Sequence, residues 1–214
     1  MNNTYFIIPA REGSKGLPHK NRKLFPITAK ELPTHLRDRV IVSTDDPVIS
    51  GEAANLGMIV HHRGEEESSD QASMLSVVKQ VVKDLNITKA RIVLLYLTYP
   101  ERTFKEVEKA ISYFEEKKAQ SLLCKKSVKT HPYLCLLEKE GDHGVLLIDH
   151  PYYRRQDYPK CFELSHFVSI FNTEEIENLN SQLYNQKTIF YSINDVVDVD
   201  EPEDLVRYEC KSNR

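Results

Sequence analysis

The regular alternation of short apolar runs with amphipathic stretches constrains this fold more than any other feature of the chain. Apolar runs predict buried strands at residues 5–9, 39–44 and 90–97, with a weaker candidate at 58–63. Apolar residues at helical spacing, together with capping residues, predict helices at 47–56, 69–85 and 103–118. Strands that alternate with helices are typical of a parallel sheet covered by helices on both faces. We therefore predict an α/β fold, in which ligands bind at the carboxyl ends of the strands.

The pattern changes after Ser121. SLLCKKSV and YLCLLEKEG predict antiparallel strands, and residues 141–144 predict the turn of a hairpin. The segment HPYYRRQDYPKCF is rich in aromatic, proline and charged residues and predicts an exposed arm. A further strand is expected at FVSIF, a helix at 173–184 and a strand at 187–193. A length of 214 residues suits one domain, residues 1–214, with an arm at about 121–162.

Composition excludes several classes of function. A formal net charge of −3 removes any global electrostatic case for nucleic-acid binding. No apolar run reaches the ~18 residues that a membrane helix needs, and the beginning of the chain lacks the pattern of a signal peptide. The four cysteines are widely spaced and form no CxxC pair, which disfavours a zinc site and a disulfide framework. We expect a cytoplasmic protein that binds neither nucleic acid nor membrane.

The first predicted strand runs directly into a basic loop, IIPAREGSKGLPHKN. Glycine lets a ligand approach the backbone closely, and successive amide groups in such a loop can bind an anion. Lysine and arginine add charge-assisted hydrogen bonds to phosphate. The loop contains neither a Walker A motif nor GxGxxG, however. On composition alone, a phosphate site and an ordinary solvated loop explain this segment equally well.

The order of residues in this loop closely resembles the IPARGGSKGxPxKN signature of the CMP-sugar cytidylyltransferases, which include the CMP-sialic acid synthetases. One glycine of that signature is replaced by Glu12. The resemblance continues along the chain, because RVIVSTDD, RGEEESSDQAS, VLLYLTYPERT, RRQDYPKCF and VVDVDEPEDL are similar to successive segments of the family. It implies a three-layer, nucleotide-diphospho-sugar-transferase-like fold with a mostly parallel sheet and a small antiparallel dimerisation arm.

The resemblance implies a role for each residue that matches the family pattern. The opening loop would hold the triphosphate of CTP, and a second segment would lie over the cytosine and ribose. The nucleotide-binding residues implied are Ala10, Arg11, Gly13, Ser14, Lys15, Lys20 and Asn21 in the loop, and Arg63, Ser69 and Asp70 in the second segment. Arg11, Lys15 and Lys20 would be catalytic, because cations offset the charge that develops on the departing pyrophosphate.

Asp198 and Asp200 match an acidic pair that binds Mg²⁺ in the family. The alternation D-V-D places both carboxylates on one face of an extended segment, and oxygen ligands suit Mg²⁺. Without the opening loop, two solvated acids would explain the pair equally well. Asp45 follows the second strand and would either be structural or help to hold the metal.

The acceptor half of the site departs from the family pattern. Tyr96 and Tyr99 stand where the family has Gln and Ser, and the pair Ser165–His166 replaces Asn-Gly. Aromatic side chains there should reshape the pocket and reject acceptors whose hydroxyls would lose their partners. The acceptor-binding residues implied are Tyr96, Thr98, Tyr99, Arg102, Ser165 and His166, with Arg155 and Gln156 contributed by a dimer partner. A third departure is the stretch from Lys23 to Arg39, where two prolines predict only a short helix.

The resemblance thus implies an Mg²⁺-dependent, homodimeric nucleotidyltransferase that uses CTP and an acidic, sialic-acid-like sugar and forms a CMP-sugar and pyrophosphate. Two alternatives stay open. The acceptor could be a different one, such as Kdo or another 2-keto acid sugar, or a phosphonate. The chain could also be a divergent protein that binds the nucleotide without turning it over.

Overall fold

A seven-stranded sheet forms the centre of the computed structural model, which describes residues 3–13, 16–69 and 71–212. The strand order is β3-β2-β1-β4-β8-β5-β9. The strands are β1 (Thr4–Pro9), β2 (Val40–Thr44), β3 (Ile59–His62), β4 (Arg91–Leu94), β5 (Ser121–Ser127), β8 (Phe162–Asn172) and β9 (Ile189–Ser192). Two further strands, β6 (Leu136–Glu138) and β7 (Gly144–Leu146), pair with each other outside this sheet.

The first four strands of the main sheet are parallel, as the alternation in the sequence predicted. In the registers of β1 with its neighbours, Pro9 stands opposite Ser43 and Ile7 stands opposite Leu94. The carboxyl ends of β1, β2 and β4 therefore meet at one edge of the sheet. β8 runs antiparallel to both β4 and β5, and β5 is parallel to β9, so the sheet is mixed but mostly parallel.

Helices cover both faces of the sheet. They are α1 (Lys20–Glu31), α2 (Pro47–Asn55), α3 (Glu65–Ser68), α4 (Met74–Asp84), α5 (Phe104–Glu116) and α6 (Pro202–Ser212), with 3-10 turns at Thr34–Arg39, Pro132–Leu134, Arg155–Asp157 and Thr173–Asn178. Strand residues alternate between two apolar clusters. Phe6 and Ile8 pack in a cluster with residues of α1, α2 and α5, and Ile7 packs in a second cluster with residues of α4. This arrangement is the predicted three-layer α/β architecture.

Helix α1 corrects one prediction, because it spans 12 residues and continues through Pro26. Proline inside a helix costs about 3 kcal/mol through its missing amide and its clash with the preceding turn. The buried side chains of Leu24 and Phe25 offset that cost, since burying each large apolar group contributes about 1.5–3 kcal/mol. Tertiary packing against the sheet therefore maintains a helix that the local sequence disfavours.

Three other boundaries differ from the predictions. The helix predicted at 69–85 begins only at Met74, where Ser73 caps it by accepting a hydrogen bond from the amide of Ser76 at 3.0 Å. The helix predicted at 173–184 is a 3-10 turn that ends at Asn178. The strand predicted at FVSIF is longer, because it begins at Phe162. Capping residues do mark two of the predicted helices, because a capping box of Thr103 and Glu106 begins α5 and Gly57, with a left-handed φ, follows α2.

Residues 121–127 of the predicted arm form β5 of the main sheet, and the chain leaves that sheet only after Ser127. The arm contains the β6–β7 hairpin, in which Leu136 stands opposite Leu146 and Leu137 opposite Val145. All four side chains are exposed, and the exposed fraction of Leu136 reaches 65%. In the part of the chain that the structure describes, no helix is long and apolar enough to cross a membrane.

Candidate active site

The predicted nucleotide residues meet in a cleft at the carboxyl ends of β1, β2 and β4. The extended segment 193–200 closes one side of this edge, where the amide of Val199 donates to the carbonyl oxygen of Thr98 at 2.8 Å. The cleft is lined by Pro9, Arg11, Lys20, Asn21, Arg63, Met74, Tyr96, Leu97 and Thr98. Six of these residues were predicted to bind the nucleotide or the acceptor within one site: Arg11, Lys20, Asn21, Arg63, Tyr96 and Thr98.

The opening loop is held in place by two hydrogen bonds across its base. Asn21 donates from Nδ2 to the carbonyl oxygen of Arg11 at 2.8 Å, and the amide of Glu12 donates to Oδ1 of Asp45 at 2.6 Å. Gly13 adopts a left-handed φ of 77°, which glycine reaches without steric cost. Asp45 therefore has a structural contact with the loop, one of the two roles considered for it. The predicted residues Ser14 and Lys15 lie outside the described residues.

Lys20 and Asp200 join the two ends of the chain at this cleft. Their side chains form an ion pair in which Nζ lies 2.7 Å from Oδ1. Gly16 lies so close to the same segment that an added Cβ would stand 2.7 Å from the carbonyl oxygen of Asp200 and 2.6 Å from Oε1 of Glu201. The predicted phosphate loop and the predicted acidic pair are thus in direct contact.

Arg22 and Asp46 complete the base of the loop, and the sequence analysis singled out neither. Arg22 donates to Oδ2 of Asp46 at 2.7 Å and to Oε1 of Glu12 at 2.8 Å. The Glu12 that replaces a family glycine is therefore paired with an arginine. Asp46 also caps α2 through the amides of Val48 and Ile49. Burial raises the pKa of Asp46, but the hydrogen bonds from Arg22 and these amides outweigh burial and lower the pKa overall.

A chain of hydrogen bonds holds Arg63 at the other wall of the cleft. Its Nε donates to Oγ of Ser43 at 3.1 Å, and Ser43 lies 3.1 Å from Nδ1 of the buried His61. Nε2 of His61 donates to the carboxylate of Asp84 at 3.1 Å. When His61 is neutral, its Nδ1 accepts from Ser43, whose oxygen is then free to accept from Arg63. The apolar residues that predicted β2 and β3 gave no signal for this polar network.

Arg63 lines the cleft, and one nitrogen of its guanidinium has no hydrogen-bond partner among the described residues. This nitrogen, Nη2, is buried. Burial lowers the pKa of Arg63 to about 10, which leaves the group cationic at neutral pH. A buried cationic donor without a partner is costly unless a ligand satisfies it. Ser69 lies nearby in the chain and donates to the carbonyl oxygen of Glu66, whereas Asp70 lies outside the described residues.

Tyr96 and His166 form an aromatic pair beside the cleft. Their ring centroids are 5.3 Å apart at an interplanar angle of 43°. Burial raises the pKa of Tyr96, and burial lowers the pKa of His166 although the nearby Asp198 opposes that shift. Nδ1 of His166 is buried without a hydrogen-bond partner among the described residues. Tyr96 of this pair lines the cleft, as does Thr98, another residue of the predicted acceptor half.

Tyr99, Ser165 and Arg102 were predicted to bind the acceptor, and the structure gives all three internal contacts instead. Tyr99 donates from its hydroxyl to Oδ2 of Asp198 at 2.8 Å, and its own oxygen accepts from Ser165 at 3.4 Å. The guanidinium of Arg102 donates to the carbonyl oxygens of Phe167 and Tyr96 at 2.7 and 2.8 Å. Arg102 is only 4% exposed, so it fastens the loop after β4 to β8 rather than facing a substrate. Tyr99, which is larger than the serine of the family pattern, points into the protein, where its hydroxyl has Asp198 as an acceptor.

Arg155 and Gln156 lie exposed on the arm, outside the cleft. The neighbouring Arg154 forms a bidentate ion pair with Asp157, which closes the 3-10 turn that carries both residues. The structure of one chain therefore does not bring Arg155 or Gln156 together with the other predicted site residues.

Asp198 and Asp200 have the donor atoms that Mg²⁺ prefers. Val197 and Val199 alternate with the two aspartates and are buried, so the predicted alternation is present even though the segment is not part of the sheet. Oδ1 of Asp198 is buried without a hydrogen-bond partner among the described residues, as expected of an oxygen that awaits a cation. The described residues contain no group of three or more side chains that could hold a metal ion alone. Two carboxylates suit Mg²⁺, which keeps waters and also binds substrate phosphates.

Comparison with known proteins identifies the family of this chain. The family model described as "Cytidylyltransferase" matches residues 5–195, a range that ends before the acidic pair. The N-acylneuraminate cytidylyltransferase of Streptococcus agalactiae serotype V is 29% identical over 180 residues, which cover 78% of this chain and 43% of that protein. The match therefore covers less than half the length of that relative.

Two further proteins match almost the whole chain. The CMP-N,N'-diacetyllegionaminic acid synthase of Legionella pneumophila is 24% identical over 215 residues, covering 92% of this chain and 91% of that protein. The solved structure of a CMP:2-keto-3-deoxy-manno-octonic acid synthetase complexed with CTP has a TM-score of 0.69 at 14% identity and covers 99% of this chain and 98% of its own. At that identity, the structural similarity shows the fold.

Proposed function

Since this chain belongs to the cytidylyltransferase family, we propose that it transfers CMP from CTP to the hydroxyl of an acidic, sialic-acid-like sugar. The contact between Lys20 and Asp200 carries this proposal. It joins a cation of the predicted triphosphate loop to a predicted metal ligand 180 positions away in the chain. A domain that only bound a nucleotide base would have no need for this contact.

The reaction follows from charge and position. The sugar hydroxyl attacks the α-phosphorus of CTP in line, an O–P bond to the sugar forms, and the bond to the departing pyrophosphate breaks while the hydroxyl proton is released. Lys20 and Arg11 offset the negative charge that moves onto the leaving group. Mg²⁺ held by Asp198 and Asp200 would supply further charge neutralisation on the phosphates. Lys20 would exchange Asp200 for a phosphate oxygen when the nucleotide binds.

The acceptor is proposed from the relatives and from the altered pocket together. Two relatives are named for acidic sugars, N-acylneuraminate and N,N'-diacetyllegionaminic acid. Of the predicted acceptor residues, Tyr96 and Thr98 line the cleft, and each has a hydroxyl group suited to a hydrogen bond with a sugar. An arginine such as Arg155, contributed by the arm of a second copy, would pair with the carboxylate of the sugar.

The dimer and the compartment are parts of the same proposal. The exposed apolar residues of the arm, among them Leu136, Leu137 and Val145, support burial against a second copy of this chain. All four cysteines lie within the described residues and are free thiols, which supports a reducing cytoplasm.

Release of pyrophosphate from CTP and Mg²⁺, measured across a panel of acceptors, tests this function. We expect turnover with N-acetylneuraminate or N,N'-diacetyllegionaminic acid, and a loss of at least ~100-fold in Lys20→Ala, as one charge-stabilising donor supplies in other enzymes. Lys23→Ala, which removes an exposed lysine one turn along α1, should keep its activity. Turnover confined to Kdo or a phosphonate would show that the acceptor is one of these compounds and not a sialic-acid-like sugar. CTP binding without turnover on any acceptor would favour the non-catalytic alternative.

A further inference from the structure

Tyr99 is a buried side chain whose hydroxyl has a specific partner. The residue is 5% exposed, and its ring packs edge-on against Phe167 at a centroid distance of 5.6 Å. This packing fixes where the hydroxyl stands. The hydroxyl donates to Oδ2 of Asp198 at 2.8 Å, although 99 positions separate the two residues in the chain.

Three hydrogen bonds in series lead to that carboxylate. The amide of Phe167 donates to Oγ of Ser165 at 3.3 Å, Ser165 donates to the hydroxyl of Tyr99 at 3.4 Å, and Tyr99 donates to Asp198. Each hydroxyl accepts one hydrogen bond and donates the next. Because a carboxylate oxygen can only accept, Tyr99 must donate its proton to Asp198, and the Tyr99 oxygen is left to accept from Ser165.

The two oxygens of Asp198 are consequently in different situations. Oδ2 is fixed by Tyr99, whereas Oδ1 is buried without a hydrogen-bond partner among the described residues. A hydrogen bond to one carboxylate oxygen removes the freedom of the side chain to turn. It therefore determines the direction in which the other oxygen points.

We infer that Tyr99 is a positioning residue that orients Asp198, so that its Oδ1 is presented to the metal ion of the cleft. This inference rests on the proposed function, in which Asp198 binds Mg²⁺. Partners that orient a metal ligand typically contribute 10–100-fold to metal affinity. Tyr99 itself touches neither the metal nor the substrate.

Titration of Mg²⁺ into CTP-saturated protein, followed by thermal unfolding, tests the inference. Tyr99→Phe removes only the hydroxyl and should raise the Mg²⁺ concentration for half-maximal stabilisation by about 10–100-fold. Stabilisation by CTP in EDTA should stay as in the wild type. Tyr113→Phe is the matched control, because Tyr113 is a partly buried aromatic residue on α5 that packs against Tyr191. It should leave the Mg²⁺ midpoint unchanged.

Two further variants separate the possible failures. Ser165→Ala keeps the Tyr99 hydroxyl but removes the group that donates to it, so we expect a smaller rise in the Mg²⁺ concentration for half-maximal stabilisation. This variant also tests the inference if Tyr99→Phe folds poorly. Asp198→Asn should abolish the Mg²⁺ effect. Asp198→Asn could abolish stabilisation by Mg²⁺ while Tyr99→Phe lowers the unfolding temperature by the same amount at every Mg²⁺ concentration. In that case Tyr99 is only structural, and the inference is overturned. If Mg²⁺ does not stabilise even the wild type, the metal part of the proposed function fails, and the inference fails with it.

Discussion

Gly16 shows how a single missing side chain permits the cleft to form. The residue does not need an unusual φ, and its constraint is purely one of space. A Cβ at this position would stand 2.7 Å from the carbonyl oxygen of Asp200, a backbone atom that cannot turn aside. The phosphate loop can approach the acidic segment only because residue 16 has no side chain.

We predict that Gly16→Ala weakens CTP binding by at least ~10-fold, because displacing the loop by a few tenths of an ångström lengthens its charge-assisted contacts with phosphate. Isothermal titration with CTP measures the effect. Gly51→Ala is the control, since Gly51 lies in α2 with open space around its Cα. That substitution should leave CTP affinity unchanged and should stabilise the fold by about 0.5–1 kcal/mol. Equal CTP affinity in both variants would contradict the steric argument.

The local sequence was enough to predict where residues of the nucleotide half lie in the fold, but not where several residues of the predicted acceptor half lie. Arg11, Lys20 and Asn21 belong to one local segment, and a strand followed by a loop determines which edge of the sheet they reach. Tyr99 and Arg102 depend on partners far away in the chain, at Asp198 and Phe167. The sequence supplies the type of each side chain, but the direction in which a large side chain turns depends on which distant acceptor it meets.

At the scale of elements, Asp46 joins α2 to α1. Its carboxylate accepts two amides at the start of α2 and the guanidinium of Arg22 in α1. The net effect lowers the pKa of Asp46 below that of an unfolded aspartate, which is about 3.9. A depressed pKa adds stability that is present above the unfolded pKa and is lost as the pH falls through the folded pKa.

Asp46→Asn should therefore destabilise the protein at pH 7, since asparagine still caps α2 but no longer pairs with Arg22 as a charge. The difference in urea midpoint between wild type and variant should shrink as the pH falls from 5 towards 3 and the wild-type carboxylate becomes protonated. Asp157→Asn, which breaks an exposed ion pair on the arm, is the control and should have little effect at any pH. If the difference in urea midpoint between wild type and Asp46→Asn is constant from pH 7 to pH 3, the charge of Asp46 does not contribute to stability.

The exposed apolar residues of the β6–β7 hairpin lead to a prediction about dimer formation. Leu136 and Val145 lie on opposite strands and are 65% and 45% exposed, and they belong to a group of exposed aliphatic residues on the hairpin of the kind that marks an interaction surface. Leu136→Glu should convert a dimer into a monomer in light scattering, because it would bury an unpaired charge at the interface. Val206→Glu, at another exposed aliphatic residue, on α6, should stay dimeric. A wild type that is monomeric at all concentrations would refute the dimer.

For the molecule as a whole, periodicity and resemblance predicted the parallel half of the sheet well. Strands β1, β2 and β4 are continuous apolar runs, which only burial on both faces explains. The lengths of α1 and β8 were not predictable, since packing overrides Pro26 in the first and pairing on both sides extends the second. Long-range packing decides such boundaries, and a local pattern contains no information about it.

The cleft connects the beginning of the chain to its end, so a ligand there should stabilise the entire fold. A ligand at about 100 times its dissociation constant adds ~2.7 kcal/mol, which corresponds to a rise of about 5–10 °C in the unfolding temperature of a domain of this size. We expect such a rise with CTP in EDTA. CMP at the same concentration should give much less, because it lacks the β- and γ-phosphates that Lys20 and the rest of the opening loop would hold. Lys20→Ala should remove most of the difference between the two nucleotides, whereas Lys23→Ala should preserve it. If CMP stabilises the wild type as much as CTP does, the loop does not hold the triphosphate, and the charge on it needs another explanation.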